Sequence, residues 1–268
     1  MENNFAISDE RIKKLTETSM EYSKIISQVI EEAQKNIVGQ NDIIKKIIIS
    51  IISDGHVLLE SVPGLAKTLM IKTMADIFSV NNVRIQFTPD LLPADILGTK
   101  IYKSNSGTFE IQKGPIFHNF ILADEINRAP PKVQSALLEA MQEKQVSIHG
   151  ETFKLEKPFL VLATQNPIEN EGTYKLPEAQ VDRFALKILI TYPTKDQEVE
   201  IIHRNTENTE NNVKPILKSK EILEMQKFNS EIYADDVILK YVASVIDATR
   251  NPSAYELELD NIIEFGAS

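Results

Sequence analysis

Apolar residues along this chain recur either at helical spacing or in short continuous runs. Helical spacing predicts helices, and short runs bounded by polar residues predict strands that are buried in a parallel sheet. Helices are predicted over residues 8–35, 43–53, 69–78, 132–143, 195–203, 219–229 and 235–249, and strands over 56–60, 83–87, 120–124, 159–164 and 185–190. Two stretches with polar turns, 101–111 and 145–155, predict inserted β-hairpins. The alternation of strands and helices predicts an α/β fold, with a parallel sheet flanked by helices.

The sequence also indicates where the chain divides. Pro193 follows the last predicted strand, and residues 205–212 contain only Asn, Glu and Thr, which is typical of a loop or linker. We therefore predict two domains. The first is an α/β domain with N-terminal helices over 1–194, and the second is a small helical lid subdomain over 195–268.

The composition limits the kinds of function that are open to the chain. It has 268 residues, no cysteine and a formal net charge of −10, which excludes a disulfide framework and thiolate metal sites. The acidic balance argues against broad binding to nucleic acid or to anionic membranes. The longest apolar stretch, residues 47–52, is interrupted by Ser50 and is too short to span a bilayer. No secretory leader is recognisable at the start, so we expect a cytoplasmic protein.

A phosphate-binding loop is predicted after the first strand. The stretch Ser61-Val62-Pro63-Gly64-Leu65-Ala66-Lys67-Thr68 connects that strand to a helix. In such a loop, backbone N–H groups and the helix N-terminus favour an anion, and a lysine at the position of Lys67 reaches the β and γ phosphates. The Thr68 hydroxyl can ligate Mg²⁺. The alternative interpretation is an ordinary strand-to-helix turn that contains Lys-Thr.

The loop departs twice from the pattern G-x-x-x-x-G-K-[ST]. Ser61 and Ala66 stand where that pattern has glycine. A side chain at either position is tolerated only where the backbone φ is negative, so we expect a negative φ at both. Gly64 keeps one flexible position in the loop, and Pro63 stiffens its entry.

Two adjacent carboxylates, Asp124 and Glu125, follow the strand over 120–124. At the carboxyl end of a parallel strand they project into the crevice where open α/β sheets bind ligands. Asp124 can hold the water shell of Mg²⁺, and Glu125 can orient and deprotonate an attacking water. A solvated Asp-Glu pair at a strand end is the alternative. The two motifs occur in the right order and each lies at a strand end, which favours nucleotide hydrolysis.

Two more polar positions belong to this hypothesis. Asn166 follows the strand over 159–164, where its amide could position water, although a turn residue is the commoner interpretation of such an Asn. Arg183 precedes the last strand and lies beside Asp182, so it is either half of a surface ion pair or a positive charge aimed at the γ-phosphate of a neighbouring subunit.

Four segments together resemble the MoxR family of AAA+ ATPases. They are Val62-Pro63-Gly64-Leu65-Ala66-Lys67-Thr68, Ala123-Asp124-Glu125-Ile126-Asn127-Arg128-Ala129-Pro130-Pro131-Lys132, Ala163-Thr164-Gln165-Asn166-Pro167 and Leu176-Pro177-Glu178-Ala179-Gln180-Val181-Asp182-Arg183-Phe184. The similarity extends over nearly all of the chain from about residue 37, and the second and fourth segments are the most specific.

The resemblance implies a role for each matching position. Lys67 and Thr68 match the Walker A lysine and magnesium ligand, Asp124 and Glu125 the Walker B pair, Asn166 the sensor 1 residue, and Arg183 the finger that acts on the adjacent protomer. The implied nucleotide-binding residues are Ile37, Val38 and Gly39 near adenine, and Ser61, Val62, Pro63, Gly64, Leu65, Ala66, Lys67, Thr68 and Leu69 around the phosphates.

The resemblance also implies an assembly and a cellular role. The two hairpins match the helix-2 insert and the pre-sensor-1 hairpin, which in relatives point toward a central pore or a partner. Family members bind ATP and Mg²⁺, are cytoplasmic, form hexameric rings and act as chaperone-like remodellers. Many work with a partner that carries a von Willebrand factor A domain.

Two departures from the family bear on activity. Ser61 replaces the usual first glycine, and the sensor 2 arginine expected shortly after Gly266-Ala267-Ser268 is absent, so the lid is expected to be incomplete.

Three functions are compatible with these motifs. Our first hypothesis is an ATP-hydrolysing remodeller, and the alternative is an ATP-binding assembly or regulatory switch with little hydrolysis. A DNA-acting motor is the third hypothesis, but the acidic balance and the hairpin tips, which lack aromatic and basic residues, argue against it.

Overall fold

The computed structural model describes residues 9–62, 64–166, 172–206, 212–259, 262–263 and 266–267. The chain forms two compact units, Met1–Asn229 and Ser230–Ser268. The helix over 195–206 and residues 219–229 of the next helix fall within the first unit, so the division by compactness comes later in the chain than residue 194. The subdomain boundary that we expect at 194/195 stays a prediction.

The first unit is built around a five-stranded parallel sheet. Its strands, in chain order, are β1 (Val57–Glu60), β2 (Asn82–Gln86), β5 (Phe120–Asp124), β8 (Leu160–Gln165) and β9 (Leu186–Leu189). Their spatial order is β2-β5-β8-β1-β9, and every neighbouring pair is parallel. The sequence predicted all five strands to within about two residues, and the α/β fold class is confirmed.

Helices cover both faces of this sheet. They are α1 (Asp9–Gln34), α2 (Asn41–Ile52), α3 (Lys67–Ile77), α4 (Pro93–Leu97), α5 (Pro131–Glu143), α6 (Glu178–Val181), α7 (Lys195–Thr206) and α8 (Ser219–Glu231). Residues of α1, α2, α3 and α8 pack in one hydrophobic cluster, and residues of α4 and α5 pack in a second. The short helix α4 has Pro93 at its first position and was not predicted.

Successive residues of the central strands belong alternately to the two clusters. Val57 and Leu59 of β1 pack with α2 and α3, whereas Leu58 between them packs with α5 on the opposite face. This is the two-residue period of a strand with both faces covered. It explains why these strands are continuous apolar runs in the sequence.

Two antiparallel hairpins project from the α/β layers. The first pairs β3 (Gly98–Lys103) with β4 (Thr108–Lys113), and the second pairs β6 (Gln145–Ile148) with β7 (Glu151–Lys154). Both were predicted from the polar turns between them. Gly107 near the first turn and Gly150 in the second have positive φ angles of 67° and 84°, as tight turns require.

The second unit contains helix α9 (Asp236–Arg250), which matches its predicted range closely. Asp235 caps this helix, because its carboxylate accepts a hydrogen bond of 2.9 Å from the Val237 N–H. Beyond the helix, the Tyr255 hydroxyl donates to Asp247 at 2.9 Å. Across the parts of both units that the structure describes, no helix has the length and apolar character needed to cross a membrane.

A buried histidine at the start of β1 should make the first unit sensitive to acid. His56 is 5% exposed, its Nδ1 accepts from the Val161 N–H at 3.1 Å, and its Nε2 donates to the Met141 carbonyl at 3.3 Å. Burial, assisted by the charge of Lys144, lowers the pKa of His56 to about 4, because the neutral ring suits this environment.

We expect the free energy of unfolding to fall as the pH drops from 6.5 toward 4. In this range the unfolded chain binds a proton at His56 that the folded chain excludes, so the loss reaches about 3 kcal/mol. Urea unfolding between pH 4 and pH 8 measures it. His56→Gln should flatten that part of the profile, whereas His203→Gln, on the exposed face of α7, should not.

Candidate functional site

The carboxyl ends of the parallel strands bring the predicted motifs to one edge of the sheet. The strands β2 and β5 pair with Gln86 opposite Asp124, and β1 and β8 pair with Glu60 opposite Gln165. The loop after β1 and the carboxylates at the end of β5 therefore face the same crevice, which is where open α/β sheets bind ligands.

The loop between β1 and α3 departs from our expectation at one residue. Gly64 has a φ of +87° with no heavy atom within 4 Å of where a side chain would start, so the loop is open at this point. Ala66, directly before α3, has a φ of +52°. Our expectation of a negative φ there was wrong. The loop imposes the left-handed conformation on an alanine, at a cost of about 1 kcal/mol.

Ser61 occupies the start of the same loop and is almost completely buried. Its N–H donates to the Gln165 carbonyl at 3.2 Å, and its φ is not in the left-handed region, as expected. Its hydroxyl has no hydrogen-bond partner among the described residues. Pro63 lies outside the residues that the structure describes.

Asp124 is the most densely contacted polar group of the site. It is 6% exposed; its Oδ1 accepts from the Thr164 hydroxyl at 2.7 Å and lies 3.4 Å from Lys67 Nζ. Its Oδ2 accepts from Arg84 Nε at 3.0 Å and Arg84 Nη2 at 2.7 Å. Burial alone would raise the pKa of Asp124, but the bonds from Thr164 and Arg84 and the charges of Lys67 and Arg84 outweigh it and lower that pKa. Asp124 is therefore ionised at neutral pH.

Glu125 is held in a strained backbone position beside Asp124. Its φ is +58°, and its N–H donates to the Thr164 hydroxyl at 2.8 Å. Its Oε2 accepts from Gln86 Nε2 at 2.8 Å and lies 3.0 Å from Arg128 Nε. Left-handed backbone at a non-glycine residue is uncommon and is concentrated at functional sites. The geometry thus fixes the direction in which the Glu125 side chain leaves the strand.

Thr164 is a residue that the sequence analysis missed, and it connects the Asp124 carboxylate to the Glu125 backbone. Its side chain is fully buried on β8, and its hydroxyl donates to Asp124 while accepting from the Glu125 N–H.

Thr164→Val keeps the shape but removes both bonds, so we expect a loss of about 1–3 kcal/mol in the free energy of unfolding. Urea denaturation measures it. Thr206→Val, on the exposed end of α7, is the control, and equal small losses in both variants would contradict this role.

Arg84 and Gln86 were also missed, although one signal was available. The alternation along β2 places Val83, Ile85 and Phe87 on the inner side, which leaves Arg84 and Gln86 on the other. A polar pair of this kind near a carboxyl strand end was a candidate for the site. The sequence did not show that β2 lies next to β5 rather than next to β1.

A cavity of about 250 Å³ opens where these elements meet. Its described lining is formed by the loop, the neighbouring strand and the carboxylates: Gly64, Leu65, Ala66, Lys67, Thr68, Arg84, Asp124 and Glu125. Lys67 and Arg84 supply positive charge, and Thr68 and Asp124 supply the oxygen ligands that Mg²⁺ prefers. These residues fit a polyphosphate with a magnesium ion beside it.

Four other residues that were predicted to bind nucleotide are not among the described residues that line this cavity. Leu69 belongs to a larger groove of about 770 Å³ that is also lined by Asn36 and Arg204. Ile37 is buried in the core beside α1, and Gly39, with a φ of +74°, packs directly against Gln197. Val38 is partly exposed between them.

Asn166 directly follows β8 and is buried, and Arg183 lies shortly after α6 and is exposed. Arg183 Nη1 donates to the Leu138 carbonyl at 3.3 Å and to the Gln142 side chain, both on α5 of the same chain. Neither residue lines the cavity as the described residues form it. Their roles in catalysis stay predictions.

The sheet order, the loop between β1 and α3, the carboxylate pair at the end of β5 and the two inserted hairpins define a P-loop domain of the AAA+ class. Comparison with known proteins gives the family. Residues 56–186 match the profile of the ATPase family associated with various cellular activities (AAA). A crystal structure of a proposed ATPase from Cytophaga hutchinsonii superposes with a TM-score of 0.88 and 50% identity, over 96% of this chain and 78% of that one.

Two relatives are similar along most of the chain. Chaperone MoxR1 of Mycobacterium tuberculosis is 48% identical over 91% of this chain, and the uncharacterized protein YeaC of Bacillus subtilis is 41% identical over 87%. This chain belongs to the MoxR family of AAA+ ATPases, so the resemblance found in the sequence is confirmed. It spans 64% of the length of MoxR1 and 73% of the length of YeaC.

Proposed function

We propose that this chain binds ATP in the cavity beside Lys67 and hydrolyses it to ADP and phosphate. The observation that supports this most strongly is the convergence of Lys67, Asp124 and Glu125 on one cavity at the carboxyl ends of β1 and β5. A cation for the phosphates, a carboxylate for a metal and a second carboxylate for water are the groups that phosphoryl transfer requires.

Each residue has a separate task in this mechanism. Lys67 and the loop N–H groups bind the phosphates, and Thr68 and Asp124 would hold Mg²⁺, which neutralises charge on the phosphate oxygens when it is bound. Glu125 accepts a proton from a water as the water oxygen bonds to the γ-phosphorus and the bond to the ADP oxygen breaks. Asn166 orients that water.

We propose that a neighbouring protomer completes the site with Arg183. The exposure of Arg183 supports this, since a side chain on the surface is available to an adjacent copy.

The assembly would be a homo-oligomer, with a cytoplasmic hexameric ring as the specific proposal. The name of its relative, Chaperone MoxR1, supports remodelling or maturation of partner proteins as the use of the ATP energy. A partner with a von Willebrand factor A domain would couple to the ring.

ATP turnover measured over a range of protein concentrations tests this shared site. We expect the specific activity to rise with concentration as protomers associate, and to fall about 1000-fold in Arg183→Ala, within the range for a finger residue. Gln142→Ala removes the side-chain contact of Arg183 with α5 of its own chain and leaves its bond to the Leu138 carbonyl, so it should keep the activity. Equal turnover in wild type and Arg183→Ala would remove Arg183 from the site.

A second candidate function is an ATP-binding switch with little hydrolysis. In the structure both carboxylates are engaged by arginines of the same chain, Asp124 by Arg84 and Glu125 by Arg128. While Glu125 is held in this ion pair, the site can bind nucleotide, but the carboxylate is not free to accept a proton from water. Binding can therefore occur without hydrolysis. The same turnover measurement separates the two functions, because a switch binds ATP tightly and releases little phosphate at any concentration.

A further inference from the structure

Arg84 lies in the nucleotide cavity although it belongs to neither motif. It is on β2, opposite Leu122 of β5, and its side chain is 49% exposed. Its guanidinium donates two hydrogen bonds to a single oxygen, Asp124 Oδ2, at 3.0 and 2.7 Å, and a third from Nη2 to Gln86 Oε1 at 2.6 Å. A half-exposed arginine is thus anchored on the buried carboxylate that the metal requires.

This contact competes with the proposed use of Asp124. The other carboxylate oxygen already accepts from Thr164 at 2.7 Å and lies 3.4 Å from Lys67 Nζ. A hydrated Mg²⁺ that approached Asp124 from the cavity would meet the positive guanidinium at Oδ2, and two cations repel at such a distance. Movement of Arg84 away from Asp124 would therefore make it easier for the metal to be held there.

The cavity offers the displaced guanidinium one chemically suitable partner. Arg84 lines the same cavity as Gly64–Thr68, and among the described lining residues only it and Lys67 are cationic. The planar fork of arginine matches the oxygens of a phosphate and can bind two of them together. Half exposure leaves the side chain free of close packing that would prevent the movement.

We propose that Arg84 is a positioning residue with two alternating partners, the Asp124 carboxylate when no nucleotide is bound and the polyphosphate when ATP occupies the cavity, with or without Mg²⁺. This rests on the nucleotide site proposed above and adds to it. Without nucleotide, the Arg84 guanidinium balances the negative charge of Asp124 and keeps Mg²⁺ from binding alone. In the loaded site it separates the charge of Asp124 from that of the phosphates.

The test compares nucleotide affinity with and without metal, and it needs no turnover. The probe is a fluorescent ATP analogue, titrated in EDTA and again in Mg²⁺, with wild type, Arg84→Gln and Arg84→Lys. We expect Arg84→Gln to weaken binding in EDTA about tenfold, which corresponds to the loss of one charge-assisted hydrogen bond. In Mg²⁺ the metal should compensate for most of the loss. The ratio of the affinity in Mg²⁺ to the affinity in EDTA should therefore be higher in Arg84→Gln than in wild type. Arg84→Lys should give a ratio between those two.

A second readout uses Mg²⁺ without nucleotide. Thermal unfolding of the wild type should not respond to Mg²⁺, because Arg84 occupies Asp124, whereas Arg84→Gln should be stabilised by it. The matched control is Lys187→Gln, which removes a cation that pairs at 2.7 Å with Glu60 at the end of β1. It should behave as wild type in both experiments.

The outcomes separate this proposal from the proposed function. An unchanged affinity ratio together with no response of Arg84→Gln to Mg²⁺ alone would overturn the role of Arg84 while leaving ATP hydrolysis intact. If the wild type neither binds nor turns over ATP, the proposed function fails. Stabilisation of Arg84→Gln, but not of the wild type, by Mg²⁺ alone would then still show that Arg84 prevents the metal from binding at Asp124.

Discussion

Replacing Glu125 with Gln should reduce ATP turnover about 1000-fold while ATP binding stays within about threefold of wild type. A positioned general base contributes roughly 10²–10⁴-fold to such a reaction, and an amide cannot accept the proton of the attacking water. The change is nearly isosteric, so the bonds from Gln86 and Arg128 lose charge but keep their positions. Phosphate release under saturating ATP measures turnover, and titration with labelled ATP measures binding.

The control for this variant is a glutamate of the same kind away from the cavity. Glu139 lies on the exposed face of α5, the helix that follows the carboxylate pair. Glu139→Gln should keep wild-type turnover. If Glu125→Gln turned over ATP as fast as Glu139→Gln, another group would have to activate the water.

Replacing Lys67 with Ala should weaken ATP binding about 100-fold. Its side chain is 11% exposed and its Nζ lies 3.4 Å from Asp124 Oδ1, so it is a largely buried charge in the lining of the cavity. Removing a charged hydrogen-bond partner from such a site costs up to about 3 kcal/mol, which is close to 100-fold in affinity. Binding of labelled ATP by equilibrium titration in Mg²⁺ measures the effect.

A lysine that the structure places on the surface provides the comparison for Lys67. Lys220 on α8 has a side chain that is 87% exposed, and it pairs with Glu224 at the long distance of 3.7 Å. Lys220→Ala should bind ATP as wild type does, because an exposed pair of this kind contributes little. Undiminished binding in Lys67→Ala would mean that the loop after β1 is an ordinary turn.

The strands and the main helices could be predicted because their signals are local. The apolar runs at β1 and β8 reflect burial on both faces, and the helical spacing in α1 and α5 reflects one buried stripe in each. The helix α4 was missed because it is one short turn that begins at Pro93, and a proline is as typical of a loop.

The site was predictable where chemistry follows sequence order, and not where it depends on strand order. Lys67, Thr68, Asp124 and Glu125 were found because each lies at the end of an element that its own neighbours define. Arg84 and Thr164 reach Asp124 only because β5 lies between β2 and β8, and nothing local in the sequence specifies that order. The left-handed backbone at Ala66 was unexpected for a related reason, since the loop around it determines its conformation rather than its own preference.

Repeated turnover distinguishes a site that hydrolyses ATP from one that only binds it. The direct measurement is the amount of phosphate released per protomer over time, with saturating ATP and Mg²⁺ at a protein concentration that allows protomers to associate. We predict a linear release that passes well beyond one phosphate per protomer and is lost in Glu125→Gln. A release that stops at or below one phosphate per protomer, with ATP still tightly bound, would contradict hydrolysis as the function and leave the chain as a nucleotide-dependent switch.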